Sequence, residues 1–360
     1  MKVIVTDYEK NQFWKETEVP LSEIGCMNLV RVFPEYKRQK MLGFGGAFTE
    51  AAGYCYSKLS PESKEAFLNA YFSAEGLGYN VGRTHINSCD FALGNYAAIE
   101  EKDGERTAFD LTRANKYVLP LIQDACKVKG DKIELLMSPW SPPSYMKTNG
   151  EMNNGGKLKK EFYQEWAEFI ATYLKKLREE GLLIHYLTVQ NEPDAVQTWD
   201  SCVYSATEEM EFVRDHLGPV LEKEALSDVK ILVWDHNKEI VYDRARTTLS
   251  DQKAADYICG IAVHWYTGDH FEQLDMVKET FPGKEIFFTE GCVEYSRFMD
   301  SNEVKKAEMY AHDMMGNFNH GVSAFYDWNL LLDAKGGPNH VGNFCAAPVM
   351  STESGEDFEK

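Results

Sequence analysis

Eight short apolar runs recur along the 360 residues, each closed by Gly, Pro or a polar cluster and each followed by a stretch of helical period. They are MLGFGGAF (41–48), YNVGRTHI (79–86), IELLMSP (133–139), HYLTVQN (185–191), KILVWD (230–235), CGIAVHWY (259–266), EIFFTE (285–290) and VSAFYDW (322–328). No glycine-rich phosphate fingerprint follows the first run. Alternation of this kind therefore predicts an α/β chain folded as a (β/α)8 barrel rather than a doubly wound sheet.

The connecting stretches carry helix signals. SPESKEAFLNAYF begins with Ser60 as an N-cap and Pro61 at the first helical position, where its missing N–H costs nothing. SATEEMEFVRDHLGPVL has the Ser205…Glu208 spacing of a capping box. EFYQEWAEFIATYLKKLREEG places Lys and Arg in its last turns and stops at Gly181, and its Phe162, Trp166 and Phe169 form one apolar packing stripe. Residues 1–40 precede the barrel and hold two β-prone pieces, MKVIVTDY and NLVRVF, too little for an independent domain. The expected organisation is 1–40 as N-terminal strands of a side β-domain, 41–345 as the barrel and 346–360 as a polar tail.

In such a barrel the C-terminal strand ends face the active site. Those ends carry Arg83, Trp140, Asn191 with Glu192, His264 with Tyr266, Glu290, and Asp327 with Trp328. Glutamates at the ends of the fourth and seventh strands would meet across one mouth, as two carboxylates must to flank a glycosidic bond. One has to be protonated and the other ionised, and mutual repulsion helps to separate their pKa values. Each residue has a plainer reading beside this one: a solvated charge for a lone glutamate, an ion pair with Arg83 for Glu290, a satisfied interior imidazole for His264, and core packing for the tryptophans.

GFGGAFTEAA, SCDF, SPWSPPSYMKTNG, QNEP, AVHWY, TEGC and DWNLLLDAKGGPNHVGNF, in this order across residues 41–345, resemble glycoside hydrolase family 30, the glucosylceramidase-like family. A single NEP is a weak signal, whereas seven motifs in register are a strong one. The resemblance implies a retaining β-glycosidase acting without cofactor or metal, with Glu192 as acid/base and Glu290 as nucleophile. It also implies that Asn191 bonds the sugar 2-hydroxyl, that Arg83 and Tyr266 keep Glu290 ionised, that Trp328 floors the sugar, and that Trp140 and His264 line the site. Glu50 stands where glucosylceramidases hold the sugar's O4 and O6 with an aspartate, and Tyr145 and His340 replace tryptophans expected at the rim. These departures leave β-glucosides, β-xylosides, β-fucosides and β-1,6-glucan open.

A formal net charge of −19 argues against nucleic-acid or strong anionic-membrane partners and suits a neutral glycoside. The N-terminus lacks a signal-peptide pattern, so a cytoplasmic location is expected. Eight cysteines (26, 55, 89, 126, 202, 259, 292, 345) show no C-x-x-C spacing and are expected to be free, mostly buried thiols. Family members continue past APVM into strands that complete the side module. The ending STESGEDFEK therefore suggests truncation, or a separate chain that supplies the rest. Two other classes fit the residues as well: a carbohydrate-binding relic, and a metal-dependent hydrolase using His85, Asp235, His236 and His264, whose spacing matches no known ligand pattern.

Overall fold

The computed structural model of the chain describes residues 2–7, 9–18, 33–299 and 302–359. Internal contacts divide the chain into residues 1–38 and 39–360. In the first unit Lys2–Asp7 pairs antiparallel with Gln12–Glu18, bringing Lys2 opposite Glu18 and Val3 opposite Thr17. The second β-prone piece, NLVRVF at 28–33, lies outside the described residues except for Phe33, as does Cys26.

The second unit is built on eight parallel strands: β1 (Gly43–Ala47), β2 (Val81–Ile86), β3 (Glu134–Pro139), β4 (Leu183–Thr188), β5 (Lys230–Asn237), β6 (Ile258–His264), β7 (Glu285–Glu290) and β8 (Val322–Asn329). Each pairs with its chain neighbours and β8 returns to β1, closing the barrel. All eight expected runs are strands. The fourth stops at Thr188 instead of running to Asn191, for a reason that belongs to the site.

Alternation of side chains along each strand fills the barrel in layers. Val81, Leu136, Tyr186, Ala262, Phe287 and Tyr326 belong to one apolar cluster inside it. Two residues further along the same strands come Arg83, Ser138, Thr188, His264, Thr289 and Trp328. The inner layer thus changes from apolar to polar over one pleat. Outside the strands, the helices bury a second and larger cluster that includes Phe67, Trp166, Phe169, Leu187, Val233 and Phe288.

The expected helix starts are present. Ser60 Oγ accepts from Ser63 N at 3.1 Å at the head of Pro61–Phe72, and Ser205 and Glu208 form the reciprocal capping box of Ala206–Phe212. That helix continues not as one regular segment but through a π-helical turn, Val213–Leu217, before Gly218–Lys223. Helix Tyr163–Glu179 gives way to Gly181 at φ +89, a left-handed position natural to glycine. Beyond the barrel the polar ending is ordered. Met350–Ser351 pairs with Phe358–Glu359, Ser60 N donates to Glu356 O at 2.9 Å, and Ser63 Oγ donates to Asp357 Oδ1 at 3.0 Å. Among the described residues no helix is long and apolar enough to cross a membrane, and seven cysteines are free, five of them buried.

Candidate active site

The polar layer converges on one buried carboxylate, Asp235. Its Oδ2 accepts from Arg83 Nη2 at 2.8 Å, Ser138 Oγ at 3.1 Å and Thr188 Oγ1 at 2.7 Å. Its Oδ1 accepts from Thr289 Oγ1 at 2.6 Å and faces His264 Nε2 at 3.1 Å. Burial alone would raise this carboxyl, but Arg83, His264 and Thr289 outweigh it and hold Asp235 well below the usual carboxylate range. A permanent anion at the barrel centre then fixes the cations around it.

Backbone strain aims Asp235. Trp234 and Asp235 both have positive φ, +76 and +50, which L residues rarely adopt and which costs about 1–3 kcal/mol each. Register shifts in β6 on either side of Val263 similarly re-aim His264. Neither feature has a sequence signature: KILVWD reads as an ordinary buried strand whose terminal aspartate meets water.

Strand β4 ends early because the chain turns at the same level. Asn191 N donates to Pro139 O at 2.8 Å and Glu192 N donates to Asp235 O at 3.0 Å, while Glu192 itself adopts φ +47. Gln190 Nε2 ties the turn to Trp140 O at 2.6 Å. The run VQN is therefore an anchored turn that lifts Glu192 into the mouth.

There a cavity of about 130 Å³ is lined by Glu192 and Glu290 together, with Trp140, Asn191, Tyr266 and Trp328. Arg83 Nη1 donates to Glu290 Oε2 at 2.5 Å and Tyr266 Oη donates to Glu290 Oε1 at 2.9 Å, so both carboxylate oxygens of Glu290 are held. Arg83 also donates to Asn191 Oδ1 at 2.8 Å. The indoles of Trp140 and Trp328 stack with centroids 5.4 Å apart, and the Arg83 guanidinium carbon lies 4.7 Å from the Trp140 ring centroid.

Glu192 has a different environment. His264 Nδ1 lies 3.3 Å from its Oε1, Gln197 Nε2 3.5 Å from its Oε2, and His236 Nδ1 3.6 Å from Oε1. Burial raises the carboxyl, but the imidazoles of His236 and His264 with Gln197 overcome this and pull it down to about 2. Burial lowers His264, yet Glu290, Asp235 and Glu192 together push it up to about 9. The two shifts support each other: the ionised Glu192 favours the imidazolium of His264, and the imidazolium favours the carboxylate. Glu290 is raised, first by burial and also by the Glu192 charge, against the pull of His264 and Arg83.

The structure brings together Arg83, Trp140, Asn191, Glu192, His264, Tyr266, Glu290 and Trp328, but not all in the expected places. Arg83 and His264 are fully buried beneath the cavity and do not line it. They orient the carboxylates and have no surface to offer a sugar. Glu50 is outside the site altogether: its carboxylate is bound by Arg113 Nε at 3.1 Å and Leu93 N at 2.7 Å, 1% exposed. The carboxylate on the cavity wall is instead Asp90 of SCDF, held by Asn339 Nδ2 at 3.1 Å and pushed up to about 8 by burial.

Tyr145 and His340 also lie off the cavity wall. Tyr145 Oη donates to Glu165 Oε1 at 3.2 Å, and His340 Nε2 meets Asp200 Oδ2 at 2.9 Å. Of the set weighed for metal binding, Asp235, His236 and His264 cluster, whereas His85 faces Asn87 O at 2.6 Å and accepts from Glu50 N at 3.0 Å. Sequence reasoning missed Asp90, Gln197, Trp199, Asn343 and Cys345, all on the wall. Asp90, Gln197, Trp199 and Asn343 stand on loops and Cys345 on a two-residue strand paired with Glu294, where no periodicity marks them, although SCDF and GNF were legible as motifs.

Comparison with known proteins adds three findings. The family model described as the glycosyl hydrolase family 30 TIM-barrel domain matches residues 41–360. Lysosomal acid glucosylceramidase of Mus musculus is 33% identical over 365 residues, spanning 95% of this chain and 70% of its own. Among solved structures, SrfJ from Salmonella typhimurium superposes with a TM-score of 0.92 at 40% identity, covering 100% of this chain and 81% of that one. The endo-β1,6-glucanase BT3312 superposes at 0.82 and 28% identity, covering 91% and 75%. The chain spans about two thirds of the length of the curated relatives it matches, 64% in the first of them.

Proposed function

As a chain that belongs to glycosyl hydrolase family 30 through its TIM-barrel domain, this protein is, we propose, a retaining β-glycosidase that uses Glu290 as nucleophile and Glu192 as acid/base. The observation that carries the reading is the asymmetry of the two carboxylates. Glu290 is gripped by a guanidinium and a phenol that favour its anion, whereas Glu192 faces the imidazole of His264, a group that can pass it a proton.

A β-glycoside enters with its sugar against Trp328 and Trp140, and a proton passes from the His264 imidazolium to Glu192 as the substrate excludes water. Glu290 attacks the anomeric carbon while Glu192 protonates the departing oxygen, giving a glycosyl ester and a free alcohol. Glu192, now ionised, takes a proton from water, which displaces Glu290 and regenerates both groups. Asn191, fixed by Arg83, presents its amide to the 2-hydroxyl, a contact that strengthens in the oxocarbenium-like transition state.

The cavity's volume, about 130 Å³, is below the ~300–1,000 Å³ of drug-sized ligand sites and suits one sugar ring. That size favours exo-action on a terminal residue. The glycone is left among glucose, xylose and fucose, and the aglycone among lipid, alkyl or a further sugar, including a β-1,6-linked one. With Glu50 removed from the site, that choice rests on Asp90 and its loop neighbours. The test is an aryl β-glycoside panel followed by proton NMR of the first-formed product. Retention of the β-configuration on at least one sugar is expected; inversion, or sugar binding by folded protein with no turnover on any member, refutes the reading.

A further inference from the structure

Glu192 stands in a second geometry besides the one used for catalysis. Its Oε1 lies 3.3 Å from His264 Nδ1 and 3.6 Å from His236 Nδ1, and one donor atom from each of the three residues lies within 4.8 Å of the others. Four-coordinate zinc with bonds of about 2.0–2.2 Å separates adjacent ligand atoms by about 3.3–3.5 Å, so two edges of such a tetrahedron are nearly in place. His236 Nδ1 is buried and has no hydrogen-bond partner among the described residues.

His264 is already arranged as a ligand. Its Nε2 faces Asp235 Oδ1 at 3.1 Å, the carboxylate–imidazole pairing that orients metal-bound histidines and makes the other nitrogen more basic. Two imidazoles and one carboxylate are the ligand set of open zinc sites, and the position left over faces the cavity that Glu192 and His236 line.

We propose that Glu192, His236 and His264 form an inhibitory site for a zinc-like divalent cation in the mouth of the barrel. The ion takes the Glu192 oxygen that faces the two imidazoles and thereby removes the acid/base from the reaction. Binding rests on the three side chains alone; only its effect on hydrolysis rests on the role proposed for Glu192.

The experiment titrates zinc chloride into untagged protein in a non-chelating buffer by calorimetry, for the parent chain and for His236→Gln and Glu192→Gln. In parallel, zinc inhibition of aryl β-glycoside hydrolysis is measured on the parent and on His236→Gln, each against its own zinc-free rate. One equivalent should bind the parent, and that event should vanish in both variants. Inhibition should be competitive with substrate, reversed by chelator, and weaker by at least about tenfold in His236→Gln. Thermal melts confirm that the variants are folded, and His236→Asn serves if the Gln variant is not. No binding by the parent, or an unchanged event in both folded variants, overturns the proposal. Binding that depends on both residues in a chain that hydrolyses no glycoside sustains the metal site and refutes the glycosidase reading instead.

Discussion

Replacing Tyr266 with Phe removes one atom, the hydroxyl that donates to Glu290 Oε1 at 2.9 Å, and leaves the ring in place. The lost contact is a hydrogen bond to a charged acceptor, worth about 1.5–3 kcal/mol in favour of the carboxylate over its protonated form. At 1.36 kcal/mol per pH unit, the Glu290 pKa rises by roughly one to two units. In its proposed role as nucleophile, Glu290 must be ionised to attack. The acidic limb of kcat/KM should therefore move to higher pH by that amount, and kcat at the optimum should fall by about 10- to 100-fold. The assay is a pH–rate profile on an activated aryl β-glycoside, with thermal melts to show the fold intact. An acidic limb that stays where it was, whatever happens to kcat, refutes the claim that Tyr266 tunes the nucleophile.

Other outcomes follow from the same arrangement. The His264 imidazolium, pushed up to about 9, should lose its proton near that pH, so kcat/KM should fall above it. Because the folded value of His264 exceeds its unfolded one of about 6.5, its contribution to stability is full below about pH 6.5 and decays as pH rises through 9, readable in denaturant midpoints. Glu192→Ala should cost about 10²–10⁴-fold on an alkyl glycoside, far less on a dinitrophenyl glycoside whose leaving group needs no proton, and added azide should restore turnover of the latter. Away from the site, Ser60→Ala removes the N-cap of Pro61–Phe72 and should lower stability by about 1 kcal/mol with activity unchanged, measured by urea denaturation.

The barrel was legible because its signals are local. Eight apolar runs, Ser60–Pro61 and Ser205…Glu208 each announce a strand or a helix start within a few residues, and the structure contains them. Glu192 and Glu290 were legible as strand-end acids, and their convergence follows from closing the sheet. What stayed hidden depends on distance in sequence or on unusual backbone. Asp235 becomes the hub of the polar layer only through two positive-φ residues and donors from four other strands, β2, β3, β6 and β7, with a fifth from β4. Glu50 was misplaced because its position after the first strand says nothing of Arg113, which lies far along the chain and claims its carboxylate. Arg83 and His264 were expected to line the site, but they lie one layer deeper, bonded to residues that form the cavity wall, a depth that strand-end position alone does not reveal.

The assignment of Glu290 as the group that bonds to the sugar is tested most directly by trapping. A 2-deoxy-2-fluoro β-glycoside with a good leaving group slows release of the ester, so the intact protein should gain the mass of one fluorosugar. Peptide mapping should then place the label on Glu290 and should find none on Glu290→Gln. A label on Glu192 or on any other residue, or rapid turnover of ordinary substrate with no trapped ester, contradicts the account.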